Sequence, residues 1–256
     1  MALAADPADP MQMVALPALV LDTVVAQFPR LPAGRCVDDC VVLMHAYADL
    51  GIRAQVRAAV ITVTGGGDGE FFVHGALVPQ WTGEVFDGHT VLWLPDAGYL
   101  VDPTAQQFPE IAEHGSGPIL AWADGSGADG GAVRVRLRRG TARVGYSLAL
   151  AEVGAAVLGH RVARAEAQRN RDRGMNVAAT VVETLAELLD PVDAARIPHP
   201  RGCALVRAAH GLPCVVDDSG FRRFLVSGPG GQAAVRLDQI PLPSGTAPRA
   251  AVSVHE

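Results

Sequence analysis

An α+β fold is predicted by three observations. Apolar stretches with helical spacing open the chain, a block of short β-branched runs set apart by glycine and proline turns follows, and helical patterning returns after residue 147. Met11 to Phe28 reads as a helix despite Pro17, with Pro29 and Pro32 ending it. Cys36 to Leu50 reads as a second helix, because Val37, Val41, Met44 and Ala48 recur at helical intervals and Gly51 is a C-terminal stop. Ala54 to Thr64 has the β-branched content of a strand and ends in Gly65-Gly66-Gly67-Asp68-Gly69; Phe71 to Val78 is the next strand. That glycine run lacks both the lysine of a P-loop and a following helix, so it reads as a turn. Thr90 to Leu94 and Tyr99 to Val101 flank Pro95-Asp96-Ala97-Gly98, a strong hairpin signal.

Past Phe108 the pattern weakens. Gly115 to Gly131 reads as a glycine-rich loop around Ile119 to Trp122, and Val133 to Leu137 alternates with arginine like a half-exposed strand. Helices are expected over Ser147 to Gln168 and Val177 to Leu189 with a break near Gly174, and a strand over Phe221 to Val226. No internal repeat is visible. The expected organisation is a core over residues 1–141 and a helical and β extension over 142–256, which can pack as part of the same domain.

Composition narrows the function classes. A chain of 256 residues, 49% of them apolar, can bury a full-sized core. Its net charge of -6 disfavours indiscriminate binding to nucleic acid or anionic membrane. All 21 cationic residues are arginine, which reads as compositional bias. The first residues lack a basic region, and Asp6, Asp9 and Asp22 interrupt the apolar ones, unlike a signal peptide or a membrane span. Val144 to Leu158 is also too short to span and contains Glu152. Four cysteines are too few for a disulfide scaffold. The expectation is a cytoplasmic protein with reduced thiols, no nucleic-acid or membrane partner and no cofactor; its oligomeric state is left open.

The chemistry-bearing residues lie between Gly34 and Asp102. Cys36 falls in the first turn of its helix, where free N–H groups and the helix dipole favour a thiolate and can receive an oxyanion. Asp38 and Asp39 add opposing negative charge but also suit a helix N-terminus. The plain alternative for Cys36 is a small buried hydrophobe. Asp87-Gly88-His89 opens the strand that leads to the 95–98 turn, and Val101-Asp102 closes the returning strand. A two-residue turn at 95–96 pairs residue 89 with residue 102. A four-residue turn at 95–98 pairs residue 91 with residue 102 and makes residue 89 its diagonal neighbour. Both put His89 and Asp102 on one sheet face, the arrangement a base and its orienting carboxylate need. His89 can also be an ordinary turn residue.

Gly-x-Cys-x-Asp at 34–38, Leu50-Gly51-Ile52, Gly88-His89 and Val101-Asp102-Pro103-Thr104 together resemble the transglutaminase-like branch of the papain-type cysteine enzyme superfamily. The resemblance covers residues 34–108. It implies a catalytic core with the nucleophile at the start of a central helix packed on an antiparallel sheet. It also implies Cys36 as nucleophile, His89 as general base and Asp102 as orienting acid. The superfamily includes peptidases, deamidases, transglutaminases and amide-forming acyltransferases, so a peptide, protein or small amide or thioester is the implied substrate. The chain departs from it in one respect: the aromatic residue after the histidine comes late, at Trp93. The arylamine N-acetyltransferases share the residue order, but their Arg-Gly-Gly lead-in is absent and Pro103-Thr104 replaces the sequence that follows their aspartate.

Gln106, Gln107 and Trp93 are candidate substrate-binding residues; polar loop positions and core packing are their plain alternatives. Cys40, one turn after Cys36, reads as core. His74 is a core or edge residue and a minor rival base. His199, Cys203, His210 and Cys214 are metal-ligand types at a spacing that matches no common zinc module, so no metal is expected. Cys203, His210 and Asp217 make a weaker second thiol centre. The arginines from Arg161 to Arg173 are offset by Glu166 and Asp172 and lack interleaved aromatics, as on a solvated helix face.

Overall fold

Helix α1 (Pro10–Ala26) opens the structure, a computed structural model that describes residues 10–26, 35–65, 69–123 and 131–252. Met13, Val14, Ala18 and Leu21 form its buried stripe. Pro17 removes the helical donor to the Met13 carbonyl, and one residue on, the Tyr47 hydroxyl donates to the Val14 carbonyl at 2.5 Å. Helix α2 (Arg35–Asp49) is buried on nearly every side, its apolar face by packing and its polar residues Asp38, His45 and Asp49 by partners from later in the chain, Asn170 and Arg249. It lies against α1 and the sheet, and it packs most extensively on α6 (Ala167–Leu188).

The main sheet is antiparallel throughout and is built around β1 (Gln55–Thr64). The first half of β1 pairs with β5 (Thr90–Leu94), and its second half pairs on the same edge with β2 (Phe71–Gly75). Between these partners runs a small hairpin, β3 (Gln80–Thr82) and β4 (Val85–Asp87). β5 continues to β6 (Tyr99–Asp102) and then β7 (Ile119–Trp122). On the other edge of β1 lie β9 (Ala142–Leu148) and β8 (Val133–Arg139), giving the order β7-β6-β5-β1-β9-β8. Contacts between β7 and β8 bring the sheet close to closing on itself.

Alternation sorts the strand residues into two cores. Ile61, Val63, Val91, Trp93, Leu100, Val135, Val144 and Tyr146 fill the inside of the curved sheet. Val56, Leu92, Leu94 and Val101 point outward, into the core built around α1, α2 and α6. The rest of the chain comprises α3 (Pro109–Ala112), α4 (Ala151–Gly159), α5 (Arg161–Ala165), α7 (Pro191–Ala194) and α8 (Pro200–Ala209). A small sheet of β10 (Cys214–Val216), β11 (Arg222–Gly228) and β12 (Gly231–Val235) follows.

The α+β class stands, with three local corrections. The start of the expected helix at Ser147 is strand: β9 runs to Leu148, and helix begins only at Ala151. The expected break near Gly174 is absent, because α6 runs through it. A Cβ at Gly174 would stand 2.5 Å from the Val42 carbonyl oxygen, so the glycine serves the close approach of α6 to α2. A boundary at 142 would split the β8–β9 hairpin. The chain beyond it is tied to the sheet by β9 pairing with β1 and by buried Arg57, which donates to Ala149 O at 2.8 Å. Among the described residues no helix is long and apolar enough to cross a membrane.

Candidate active site

Cys36 is the second residue of α2 and is 2% exposed. Gly34, part of the motif around it, lies outside the described residues. His89 comes just before β5 and extends its ladder, since its carbonyl accepts from Ala59 N–H at 2.9 Å. The turn at 95–98 has four residues: Leu94 pairs with Tyr99, and the register continues to Val91 opposite Asp102. His89 is therefore the diagonal neighbour of Asp102 on the same face, and its Nε2 lies 2.9 Å from Asp102 Oδ2. Both side chains are fully buried.

Asp102 would be costly to bury without donors, and it has four. The Tyr146 hydroxyl donates to Oδ2 at 2.9 Å, alongside His89. Thr104 donates to Oδ1 from its backbone N–H at 3.0 Å and from its hydroxyl at 3.4 Å. With Nε2 engaged, Nδ1 is the nitrogen left to Cys36 and to Gln107, whose side-chain nitrogen lies 2.9 Å from it. Burial alone would strip His89 of its proton. The Asp102 charge and hydrogen bond outweigh that, with a further hydrogen bond and charge from Cys36, and hold it at about 10. The carboxamide of Gln107 can meet either state, its NH2 donating to a bare Nδ1 and its oxygen accepting from Nδ1–H.

The acidic pair after Cys36 is partly disarmed. Asp38 accepts from the fully buried Asn170 at 3.0 Å. Asp39 lies 3.4 Å from Arg35, yet burial lifts its carboxyl to about 6, with the charge of Asp38 adding to the rise against that of Arg35. Cys40 is fully buried, its thiol donates to the Thr90 carbonyl at 3.4 Å, and burial raises its pKa well above the usual thiol range.

Of the other expected site residues, only Gln107 reaches the base. Gln106 turns away to Asp22 at 2.8 Å, because the 3-10 turn Ala105–Gln107 points adjacent side chains in different directions. Trp93 is 2% exposed inside the curved sheet and serves packing instead of lining the site. His74 pairs with Glu110 at 3.2 Å, and Phe108 packs against both histidines, stacked on His74 at 4.2 Å and edge-on to His89 at 5.1 Å.

Tyr146 is the residue that sequence reasoning missed. Its signal was present, since Ala142, Val144, Tyr146 and Leu148 alternate as on a half-buried strand and an inward tyrosine needs a partner for its hydroxyl. The tail residues are engaged separately. His199 holds the N-cap position of α8 through its backbone, its carbonyl accepting from Cys203 N–H at 2.8 Å; His210 lies 3.1 Å from the Ala186 carbonyl, and Asp217 binds Arg223. Among the described residues no three His, Cys, Asp or Glu side chains gather as a metal site. In comparisons with known proteins, no family model, no curated protein and no solved structure matches this chain.

Proposed function

We propose that this chain is a cysteine-dependent acyl-transfer enzyme with a papain-like, transglutaminase-like core. It opens an amide, peptide or thioester bond through an acyl–Cys36 intermediate. The observation that carries this reading is the fully buried His89–Asp102 pair at 2.9 Å, with Cys36 near enough to the ring for its hydrogen bond and charge to favour the protonated imidazole. In this mechanism the Cys36 thiolate attacks the substrate carbonyl carbon, and N–H groups at the start of α2 receive the oxyanion. His89 gives its Nδ1 proton to the leaving amine or thiolate as the bond to carbon breaks. Water then attacks the thioester, His89 takes its proton, and the acid leaves with the thiol restored. An amine in place of water would make a new amide by the same steps. Asp102 holds the ring and stabilises the imidazolium throughout.

One observation favours a different reading, a non-catalytic binding module on the same fold: Cys36 is buried and Gln107 occupies Nδ1. Reaction with p-nitrophenyl acetate followed by peptide mass mapping separates the two. The enzyme reading expects one acetyl group on Cys36, lost in Cys36→Ala and formed slower by orders of magnitude in Asp102→Asn, which should keep its fold. Acetylation or iodoacetamide alkylation that prefers Cys203 or Cys214, or is uniformly slow, would refute it.

A further inference from the structure

Four arginines share one outward face of the main sheet. Along β8, Arg134, Arg136 and Arg138 alternate with the inward Val133, Val135 and Leu137. The register sets them opposite Ser147, Gly145 and Arg143 of β9, which stand opposite Val60, Thr62 and Thr64 of β1. The last column on β2 is Gly75, Val73 and Phe71. These rungs hold no acidic residue, and Arg134, Arg136, Arg138 and Arg143 are all exposed. Among the described residues none of the four makes an ion pair or a side-chain hydrogen bond, unlike Arg222, Arg223 and Arg236, which all have carboxylate partners. Arg138 and Arg143 are directly paired across strands, a like-charge placement that opposes sheet formation and that a bound anion would relieve. A shallow trough of about 580 Å³ runs over Thr62, Thr64, Arg136, Arg138, Arg143 and Gly145.

We infer that this face docks an acidic segment of polypeptide. Alternate residues of an extended peptide repeat at roughly 6.5–7 Å, the spacing at which β8 presents its arginines, and each guanidinium can fork onto one carboxylate. Nucleic acid fits less well, since the one exposed aromatic on these rungs, Phe71, stands on the strand farthest from β8 and is not interleaved with the arginines. The chain carries a net charge of -6, and with these arginines set aside the remaining surface is more negative still. A long polyanion would overrun onto that surface, whereas a short acidic segment stays on the face. The rung nearest the candidate site ends at Gly75, where an added Cβ would lie 2.9 Å from His89 Cβ, so a docked segment would bring its flanking chain toward the site. That consequence for substrate choice rests on the function proposed above; the docking does not.

The test is fluorescence anisotropy on the full chain carrying Cys36→Ala, so that turnover plays no part. The probes are a fluorescein-labelled peptide alternating glutamate and threonine, its glutamine counterpart and a thymidine oligonucleotide of equal charge. The acidic peptide should bind at low salt and weaken as salt rises, while the glutamine peptide should not bind. Arg136→Ser with Arg138→Ser should weaken binding at least about tenfold, whereas Arg207→Ser, on an exposed position of α8, should not. No binding of the acidic peptide at low salt, or equal binding by the double variant, would overturn the inference. Tighter binding of the oligonucleotide, lost in the same variant, would also overturn it by giving the face to nucleic acid.

Discussion

Tyr146→Phe isolates one hydrogen bond inside the candidate site. The ring stays in place within the curved sheet, where Tyr146 is 2% exposed, and only the hydroxyl that donates to Asp102 is lost. Oδ2 then keeps His89 alone, while Oδ1 keeps Thr104. A hydrogen bond to a charged group contributes about 1.5–3 kcal/mol, and the acceptor here has no access to water to replace it. The expected loss of stability is therefore about 1.5–3 kcal/mol, or roughly 2–4 °C in Tm for each kcal/mol. Urea unfolding of the wild type, Tyr146→Phe, Asp102→Asn and the double variant forms a cycle. In the Asp102→Asn background the hydroxyl meets a neutral acceptor and should contribute only about 0.5–1.5 kcal/mol, so the two changes should couple by about 1 kcal/mol or more. Equal losses in the two backgrounds would show that the hydroxyl does not act on the Asp102 charge, and the account of how that charge is buried would fail.

Three further outcomes follow from the same structure. Gly174→Ala drives a methyl group to 2.5 Å from the Val42 carbonyl and should cost about 1–3 kcal/mol in urea unfolding; a neutral effect would mean that α6 and α2 are not so closely packed. His89 is held at about 10 against its ordinary 6.5, so its contribution to stability is complete below pH 6.5 and is lost as pH rises through 10. His89→Gln should flatten the fall in stability over that window, and an unchanged pH profile would contradict the assignment. Burial raises the Asp39 carboxyl from 3.8 to about 6, so its favourable contribution, complete below pH 3.8, is lost as pH rises through 6. Asp39→Asn should compare better with wild type at pH 7.5 than at pH 3.5, by up to roughly 3 kcal/mol, and equal effects at the two pH values would reject this.

The link from His89 to Asp102 was legible in the sequence because parity survives uncertainty. Either turn length at 95–98 leaves both side chains on one face, so the choice made by the chain, four residues, did not matter to the argument. The placement of Cys36 at a helix start was legible from local pattern as well. The docking of α2 on the sheet was not, since it depends on how the outward residues of β1 and β5 meet the helix. Tyr146 stood on a readable alternation, Ala142 to Leu148, but the largely apolar residues that follow do not show where a period of two gives way to helix. Gln106 and Gln107 are alike in sequence, and only the tight 3-10 turn decides which of them meets His89. At Gly174, intrinsic propensity argued for a break, but the packing of two helices overrode it.

The change of partners along β1 has an architectural consequence. Ala59 bonds to His89 and the next residue, Val60, pairs with Gly75, so residues 76–88 leave and return at adjacent points of one strand. Both ends of this excursion are clamped by ladders that do not depend on its length. Lengthening such a closed loop carries a small entropic penalty, about 0.6 kcal/mol for each doubling. The β3–β4 hairpin can thus be lengthened at its exposed 83–84 tip while the histidine beside it keeps its bearing on Asp102, whereas its stem is held, with Phe86 in the core and Trp81 stacked on His160.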